Sequence, residues 1–313
     1  MKKIVIGVDI GGTNTAIGFV NQEGEIVALG NMETPKSGSF ENYIALITDK
    51  IMELSQPDMI ISGIGIGAPN GCYHTGRIEY AANLYWSDSL PIVEMLEKRF
   101  SGIPIILTND ANAATIGEMV YGDAKGLKNF AMITLGTGVG SGFVANGELI
   151  YGFDGFAGEA GHIVVDENGR SCGCGRRGCL ETYTSATGIV RTAHEILAEC
   201  KTESSLRNIR RDCLTGLDIT QAARNGDSVA LECFNRTGRI LGRTLANIVT
   251  ITAPEKIFIF GGLSQAGFLI FEPIRKAFEE SILSTWRNKI EIVPSGLQGK
   301  NIAILGAASL VRD

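Results

Sequence analysis

Lys3-Ile4-Val5-Ile6-Gly7-Val8-Asp9-Ile10-Gly11-Gly12-Thr13-Asn14-Thr15-Ala16-Ile17-Gly18-Phe19-Val20 is the stretch from which the fold can be read. Lys3 to Asp9 is a short apolar run rich in β-branched residues and reads as a buried strand. Gly11-Gly12-Thr13 turns the chain, Thr15 to Val20 reads as a second strand, and Asn21-Gln22-Glu23-Gly24 as a hairpin turn into a third, Glu25 to Gly30. Glycines between two strands let the backbone approach a ligand and aim N–H groups at an anion. The hydroxyls of Thr13 and Thr15, on either side of Asn14, can add to those donors. Asp9, at the strand end, is placed to hold Mg²⁺ through water. A tight hairpin that binds nothing would use the same glycines.

The pattern returns later. Phe130 to Leu135 reads as a strand, Gly136-Thr137-Gly138 as a turn and Ser141 to Val144 as a strand. Gly18-Phe19-Val20 followed by Gly24-Glu25-Ile26 is echoed by Gly142-Phe143-Val144 followed by Gly147-Glu148-Leu149. Two strand–turn–strand units about 125 residues apart are expected of two similar lobes. The second turn, from Leu135 to Gly142, has a G-x-G-x-x-G-like spacing, but a strand follows it rather than a helix, which argues against a dinucleotide fingerprint. It also lacks the Gly-Lys-Ser/Thr ending of a P-loop. A third glycine site, Gly261-Gly262-Leu263-Ser264, follows the strand Lys256 to Phe260 and is suited to lie against a flat adenine.

Between these turns the periodicity predicts helices over Phe40–Leu54, Leu90–Phe100 (capped by Ser87 or Asp88), Ala111–Val120, Asp227–Thr252, Glu272–Leu283 and Ile302–Val311. Met59–Gly67 and Pro104–Thr108 read as strands. Mixed strands and helices make the fold α/β. At 313 residues two domains are expected. The division is placed between residues 1–118 and 119–299, with the helix of 300–313 returning to the first lobe.

Charge excludes some classes. With 28 Lys+Arg against 34 Asp+Glu the chain is mildly acidic and has no general field for nucleic acid or an anionic membrane. The apolar N-terminal run breaks at Asp9 without a cleavage pattern, and no stretch approaches the roughly 18 apolar residues of a membrane span. The expected location is cytoplasmic.

Three of the seven cysteines crowd together. His162-x9-Cys172-x-Cys174-x4-Cys179 offers one imidazole and three thiolates, a full tetrahedral set for Zn²⁺. Gly173, Gly175 and Gly178 let a short loop wrap an ion, and the absence of an open coordination position makes the zinc structural. The alternative is three cysteines that happen to share a glycine-rich loop. Glu159 and Glu181 flank the cluster, and stiff mixed donors and acceptors suit a polyol; solvated loop acids are the plainer reading. Asp110 follows the strand ending at Thr108 and opens a helix. It is either an ordinary N-cap or a cleft carboxylate able to take a proton from a substrate hydroxyl.

Jointly these motifs resemble those of the ROK family (repressors, open reading frames and sugar kinases), and within it the bacterial glucokinases. They are Asp9-Ile10-Gly11-Gly12-Thr13, Asn109-Asp110-Ala111-Asn112-Ala113-Ala114, Leu135 to Gly140, Gly158-Glu159-Ala160-Gly161-His162 and Cys172 to Glu181, in the family's order. The resemblance spans essentially the whole chain. It implies a two-lobed, actin-like (ribonuclease H-like) ATPase fold with the active site in the interlobe cleft. The implied activity is ATP-dependent phosphorylation of a hexose, glucose first, with ATP·Mg²⁺ and one structural Zn²⁺. Asp110 matches the catalytic base, and Asn83, Asn109, Asp110, Glu159, His162 and Glu181 match sugar contacts. Gly11, Gly12, Thr13, Asn14 and Thr15, with Gly136, Thr137 and Gly138, match phosphate loops, and Gly261 and Gly262 the adenosine region. His162 would then serve zinc with one nitrogen and sugar with the other. Tyr85, in Ala82-Asn83-Leu84-Tyr85-Trp86, stands where a small residue is usual and leaves open N-acetylmannosamine, N-acetylglucosamine, fructose, mannose or allose. Polyphosphate remains an alternative donor, a homodimer is the implied assembly, and a non-catalytic sugar-sensing regulator is the rival of another class.

Overall fold

The computed structural model describes residues 2–311 and divides into two compact units. The first holds the chain up to Leu127, Leu149–Ala157 and everything from Gly296; the second holds Lys128–Glu148 and Gly158–Ser295. Residues 312 and 313, the end of the helix expected over 300–313, lie outside the described residues.

In the first unit β1 (Lys2–Ile10), β2 (Asn14–Val20), β3 (Ile26–Glu33), α1 (Phe40–Leu54) and β4 (Met59–Gly67) come first. A small three-stranded sheet follows, of β5 (Gly71–Cys72), β6 (Arg77–Glu79) and β7 (Ser89–Leu90); then α2 (Ile92–Glu97), β8 (Ile105–Thr108) and α3 (Asp110–Tyr121). The main sheet has the order β3-β2-β1-β4-β8. β1 is antiparallel to β2 and parallel to β4. Its core joins Ile4, Ile6, Val8, Ile17 and Ile64 to Tyr43, Ile44 and Ile47 of α1. The C-terminal helix, Ile302–Ser309, packs on β1, β4 and α3. Glycine makes that contact possible: a Cβ on Gly65 would collide with the carbonyl of Ala307, and one on Gly7 with that of Ile304.

The second unit repeats the plan. β9 (Phe130–Leu135), β10 (Val139–Ala145) and β11 (Glu148–Leu149) precede α4 (Glu181–Thr184), α5 (Ala186–Glu199), α6 (Gly216–Arg224) and α7 (Ser228–Thr252). β12 (Lys256–Phe260), α8 (Phe268–Ser281) and β13 (Glu291–Pro294) complete it. Its sheet order is β11-β10-β9-β12-β13, and β9 is antiparallel to β10 and parallel to β12. Strand for strand this is the topology of the first sheet, so the weak sequence echo marks two copies of one unit. α7 and α8 pack closely, with Gly238 accepting the ring of Pro273: a Cβ there would lie 2.7 Å from Pro273 Cγ.

Several elements differ from the sequence reading. The helix expected over Leu90–Phe100 is Ile92–Glu97, with Pro91 at its N-cap and no side-chain cap, so neither Ser87 nor Asp88 serves. Proline disfavours a helical residue before it, and Ser89–Leu90 pairs as β7 instead. α8 begins at Phe268 rather than Glu272, because Gly267 at φ 64° breaks the chain and Pro273 is tolerated inside the helix. The first unit runs past residue 118 to Leu127, and its C-terminal segment begins at Gly296 rather than 300. α3 continues to Tyr121, and buried Glu118 holds the N–H groups of Asp123 and Gly296 on Oε1 at 2.9 Å each. Among the described residues no helix is long and apolar enough to cross a membrane.

Candidate functional site

The candidate residues form two groups, one in each unit. In the first, Asp9 is the penultimate residue of β1, between Ala16 of β2 and Gly67 of β4. Burial pushes its carboxyl up to about 6, and the charge of Asp110 adds to the rise. Gly67 faces the start of α3, where a Cβ would make ordinary contact, 3.4 Å from Ala113 Cβ and 4.0 Å from the Cα of Asp110. Asn109, not Asp110, is the N-cap of α3, its Oδ1 accepting the Asn112 N–H at 2.7 Å. Asp110 is exposed one residue further on. Its Oδ1 accepts the Ala111 N–H at 2.9 Å, which orients the carboxylate and leaves Oδ2 for a proton. The same capping bond leaves Nδ2 as the group with which Asn109 can bind a ligand.

The first glycine turn lies against the loop of Asn83. A Cβ on Gly12 would stand 2.5 Å from the Asn83 carbonyl oxygen, so only glycine fits. Gly11 N–H is used within the turn, donating to the Asn14 carbonyl at 2.9 Å. Thr13 and Asn14 are exposed. Thr15 is not: it is fully buried, and its hydroxyl is bonded to Tyr43 and Thr34. This corrects its assignment to the phosphate donors. β-strand alternation turns Thr15 inward while Asn14 faces out.

In the second unit the turn Gly136-Thr137-Gly138 closes on itself through Gly136 N–H to the Gly138 carbonyl at 3.0 Å. Glu181, first residue of α4, reaches under it and accepts the Val139 N–H on Oε2 at 3.0 Å. Its Oε1 lies 3.7 Å from Cys172 Sγ, so one carboxylate links the glycine turn to the cysteine loop. The Gly158–His162 segment is held on β10: the Ser141 hydroxyl donates to the Gly158 carbonyl and accepts the Ala160 N–H at 3.1 Å. A side chain on Gly161 would strike the Val139 carbonyl. Gly261, at φ 104°, packs on Leu135 in the same way.

The donor atoms of His162, Cys172, Cys174 and Cys179 all lie within 4.8 Å of one another. Cys174 Sγ and Cys179 Sγ are 3.6 Å apart, and Cys172 Sγ is 3.7 Å from His162 Nδ1. The edges of a tetrahedron with zinc–ligand bonds of ~2.0–2.3 Å are ~3.3–3.8 Å, so the set fits the ion. Hydrogen bonds from the backbone and side chain of Arg176 bring the Cys174 thiol down to about 6, while burial raises Cys179 to about 12. The other imidazole nitrogen, Nε2, lies 4.0 Å from Glu159 Oε2.

Sequence reasoning missed two features of this unit. Arg170 is buried and donates to Glu195 Oε1 (2.9 Å), the Thr182 carbonyl (2.6 Å), the Gly188 carbonyl (3.0 Å) and Thr192 Oγ1 (2.8 Å), with its guanidinium 4.4 Å above the Tyr183 ring. It ties the cysteine loop to α5. A cavity of about 320 Å³ also opens beside Gly262, lined by Ala186, Gly216, Leu217, Thr220 and Arg224 among others. The capping box Thr215–Asp218 at the start of α6 was the available signal for that segment.

A family model described as the ROK family matches residues 5–313. A glucokinase of Halalkalibacterium halodurans is 40% identical, with 98% of this chain and 94% of that one covered. A glucokinase of Thermotoga maritima is 36% identical over 100% of this chain and 98% of that one. Among solved structures, a ROK family glucokinase from Streptomyces griseus in complex with glucose and AMPPNP aligns with a TM-score of 0.81 at 34% identity, covering 98% of each chain.

Proposed function

The chain belongs to the ROK family, and on that premise we propose that it is an ATP-dependent hexose kinase that makes glucose 6-phosphate from glucose. The observation that carries the reading is Asp110: an exposed carboxylate at the first turn of a helix, oriented through one oxygen by the Ala111 N–H and open at the other. Phosphoryl transfer asks mainly for positioning and charge neutralisation. Asp110 accepts the proton of the attacking hydroxyl as its oxygen bonds to the γ-phosphorus. Backbone N–H groups of the turns at Gly12 and at Gly136–Gly138 hold the phosphates, with Thr13 and Thr137 as hydroxyl donors. Asp9 would hold Mg²⁺ through water, and the ion would supply charge neutralisation for the phosphates. The adenosine occupies the cavity beside Gly262, against Leu217 and Arg224.

Asn83, Asn109 (through Nδ2), Glu159, His162 (through Nε2) and Glu181 bind the sugar hydroxyls. His162 Nδ1 with the sulfurs of Cys172, Cys174 and Cys179 holds a structural zinc, which stiffens the loop bearing three of these groups. The protein is proposed to act in the cytoplasm as a homodimer. An ADP-release assay across glucose, mannose, fructose, allose and the two N-acetylhexosamines tests the reading, with glucose expected to give the highest kcat/KM. Binding of a sugar with no ADP formed from any of them would favour the sugar-sensing regulator instead.

A further inference from the structure

Three buried hydroxyls beneath the first glycine turn have no part in the chemistry above. Tyr43 of α1 and Thr15 of β2 are fully buried, and Thr34, just after β3, is 2% exposed. Tyr43 Oη lies 2.5 Å from Thr15 Oγ1, Thr15 Oγ1 lies 2.9 Å from Thr34 Oγ1, and Thr34 Oγ1 donates to the Gly11 carbonyl at 2.7 Å. Each hydroxyl has one proton and a carbonyl only accepts, so the direction is forced. Thr34 spends its proton on Gly11, Thr15 must supply Thr34, and Tyr43 must supply Thr15. The chain runs one way, from α1 into the turn.

A planar trans peptide points its C=O and N–H in opposite directions. The Gly11 carbonyl is drawn inward by Thr34, so the N–H of Gly12 is turned outward. The Thr34 N–H holds the next part of the turn by donating to the Thr13 carbonyl at 2.9 Å. The other end of the chain is equally anchored. Tyr43 stacks on Trp86 at 5.1 Å, and Trp86 donates through Nε1 to the Gly38 carbonyl at 2.9 Å.

We infer that Tyr43, Thr15 and Thr34 are positioning residues whose one-way hydroxyl chain locks the Gly11–Gly12 peptide with its N–H facing the nucleotide's outer phosphates. The inference rests on the kinase reading of this turn. It explains why a threonine next to the turn has its hydroxyl buried rather than offered to ligand. It also assigns a role to a tyrosine 28 residues away in sequence from the threonine it touches.

Calorimetric titration of the full chain with MgAMPPNP and, separately, with AMP tests it. Thr34→Val is expected to weaken MgAMPPNP about tenfold while changing AMP affinity less than about twofold. Thr34→Ser keeps the hydroxyl and is expected to restore the preference. Thr15→Val and Tyr43→Phe, each one step further from Gly11, are expected to lose progressively less, and they carry the test if Thr34→Val does not fold. An unchanged MgAMPPNP-to-AMP ratio in Thr34→Val and Thr15→Val overturns the inference, as does a serine variant as impaired as the valine. A wild-type protein with no preference for MgAMPPNP over AMP overturns the kinase reading and this inference with it.

Discussion

Asp110 shows how much a single residue's position decides. Its neighbour Asn109 takes the capping bond, so the Asp110 carboxylate is not spent on closing the helix. A helix N-terminus favours the negative charge, and one backbone N–H is enough to orient it. Asp110→Asn keeps the shape and loses the proton acceptor. General-base contributions of this kind are worth about 10²–10⁴-fold, so kcat is expected to fall by about that factor while hexose affinity stays close to wild type. Stopped assays with parallel sugar titration read both numbers, and near-normal turnover would remove Asp110 from its role. Asp110 was legible as a candidate because it follows a strand and opens a helix. Whether it capped that helix was not, since Asn109 and Asp110 are both good N-caps and only the backbone angles choose between them.

At the scale of elements, close approach and capping set the stability. Gly65 lies beneath the C-terminal helix, where a Cβ would collide with the Ala307 carbonyl. Overpacking typically costs about 1–3 kcal/mol, and backbone atoms cannot rotate away as side chains do. Gly65→Ala is therefore expected to lie at the upper end of that range in urea denaturation, and a variant as stable as wild type would contradict the packing. Asp227 caps α7, accepting the N–H groups of Val229 and Ala230 and hydrogen bonds from Ser204 and Ser205. Burial opposes its charge, but these donors more than offset the penalty and hold its carboxyl below the usual 3.8. Such a group stabilises the fold above its unfolded value and loses that contribution as the pH falls through its folded one. Asp227→Ala should cost about 1–2 kcal/mol at neutral pH. The gap between variant and wild type should close as the pH drops below the carboxylate range, and a gap that persists at low pH would refute the assignment. Asp227 was legible at the start of its helix, whereas Ser204 and Ser205 come to it from 23 and 22 residues away.

At the scale of the molecule, one fold plan is used twice, and the cysteine loop proposed to hold zinc belongs to the second copy. Glu181 touches both the glycine turn through Val139 and the cysteine loop through Cys172, so the two segments share one carboxylate. Stripping the metal with a chelator is expected to lower Tm and to weaken hexose binding together, with both restored by Zn²⁺. Elemental analysis should find one zinc per chain. Replacing Cys172, Cys174 or Cys179 by serine should abolish the metal and reproduce both losses. Chelation that lowers Tm but leaves hexose affinity untouched would separate the loop from the sugar site.

By itself the sequence determined whatever is local. Strand–glycine–strand units declare themselves over about 20 residues, because the apolar β-branched runs and the turn glycines are adjacent in the chain. The candidate zinc donors are nearly local too, since three sulfurs lie within Cys172–Cys179, glycines supply the bends, and His162 stands ten residues before Cys172. Tertiary structure alone decided which side chains those strands turn inward and what they meet there. Thr15 reads as a donor on an exposed turn until α1 covers it with Tyr43 and β3 delivers Thr34. Arg170 was missed from sequence because its partners Glu195 and Thr192 are brought to it by α5. A buried hydroxyl or guanidinium is stable only where its hydrogen bonds are met, and those partners are supplied by elements distant in the chain.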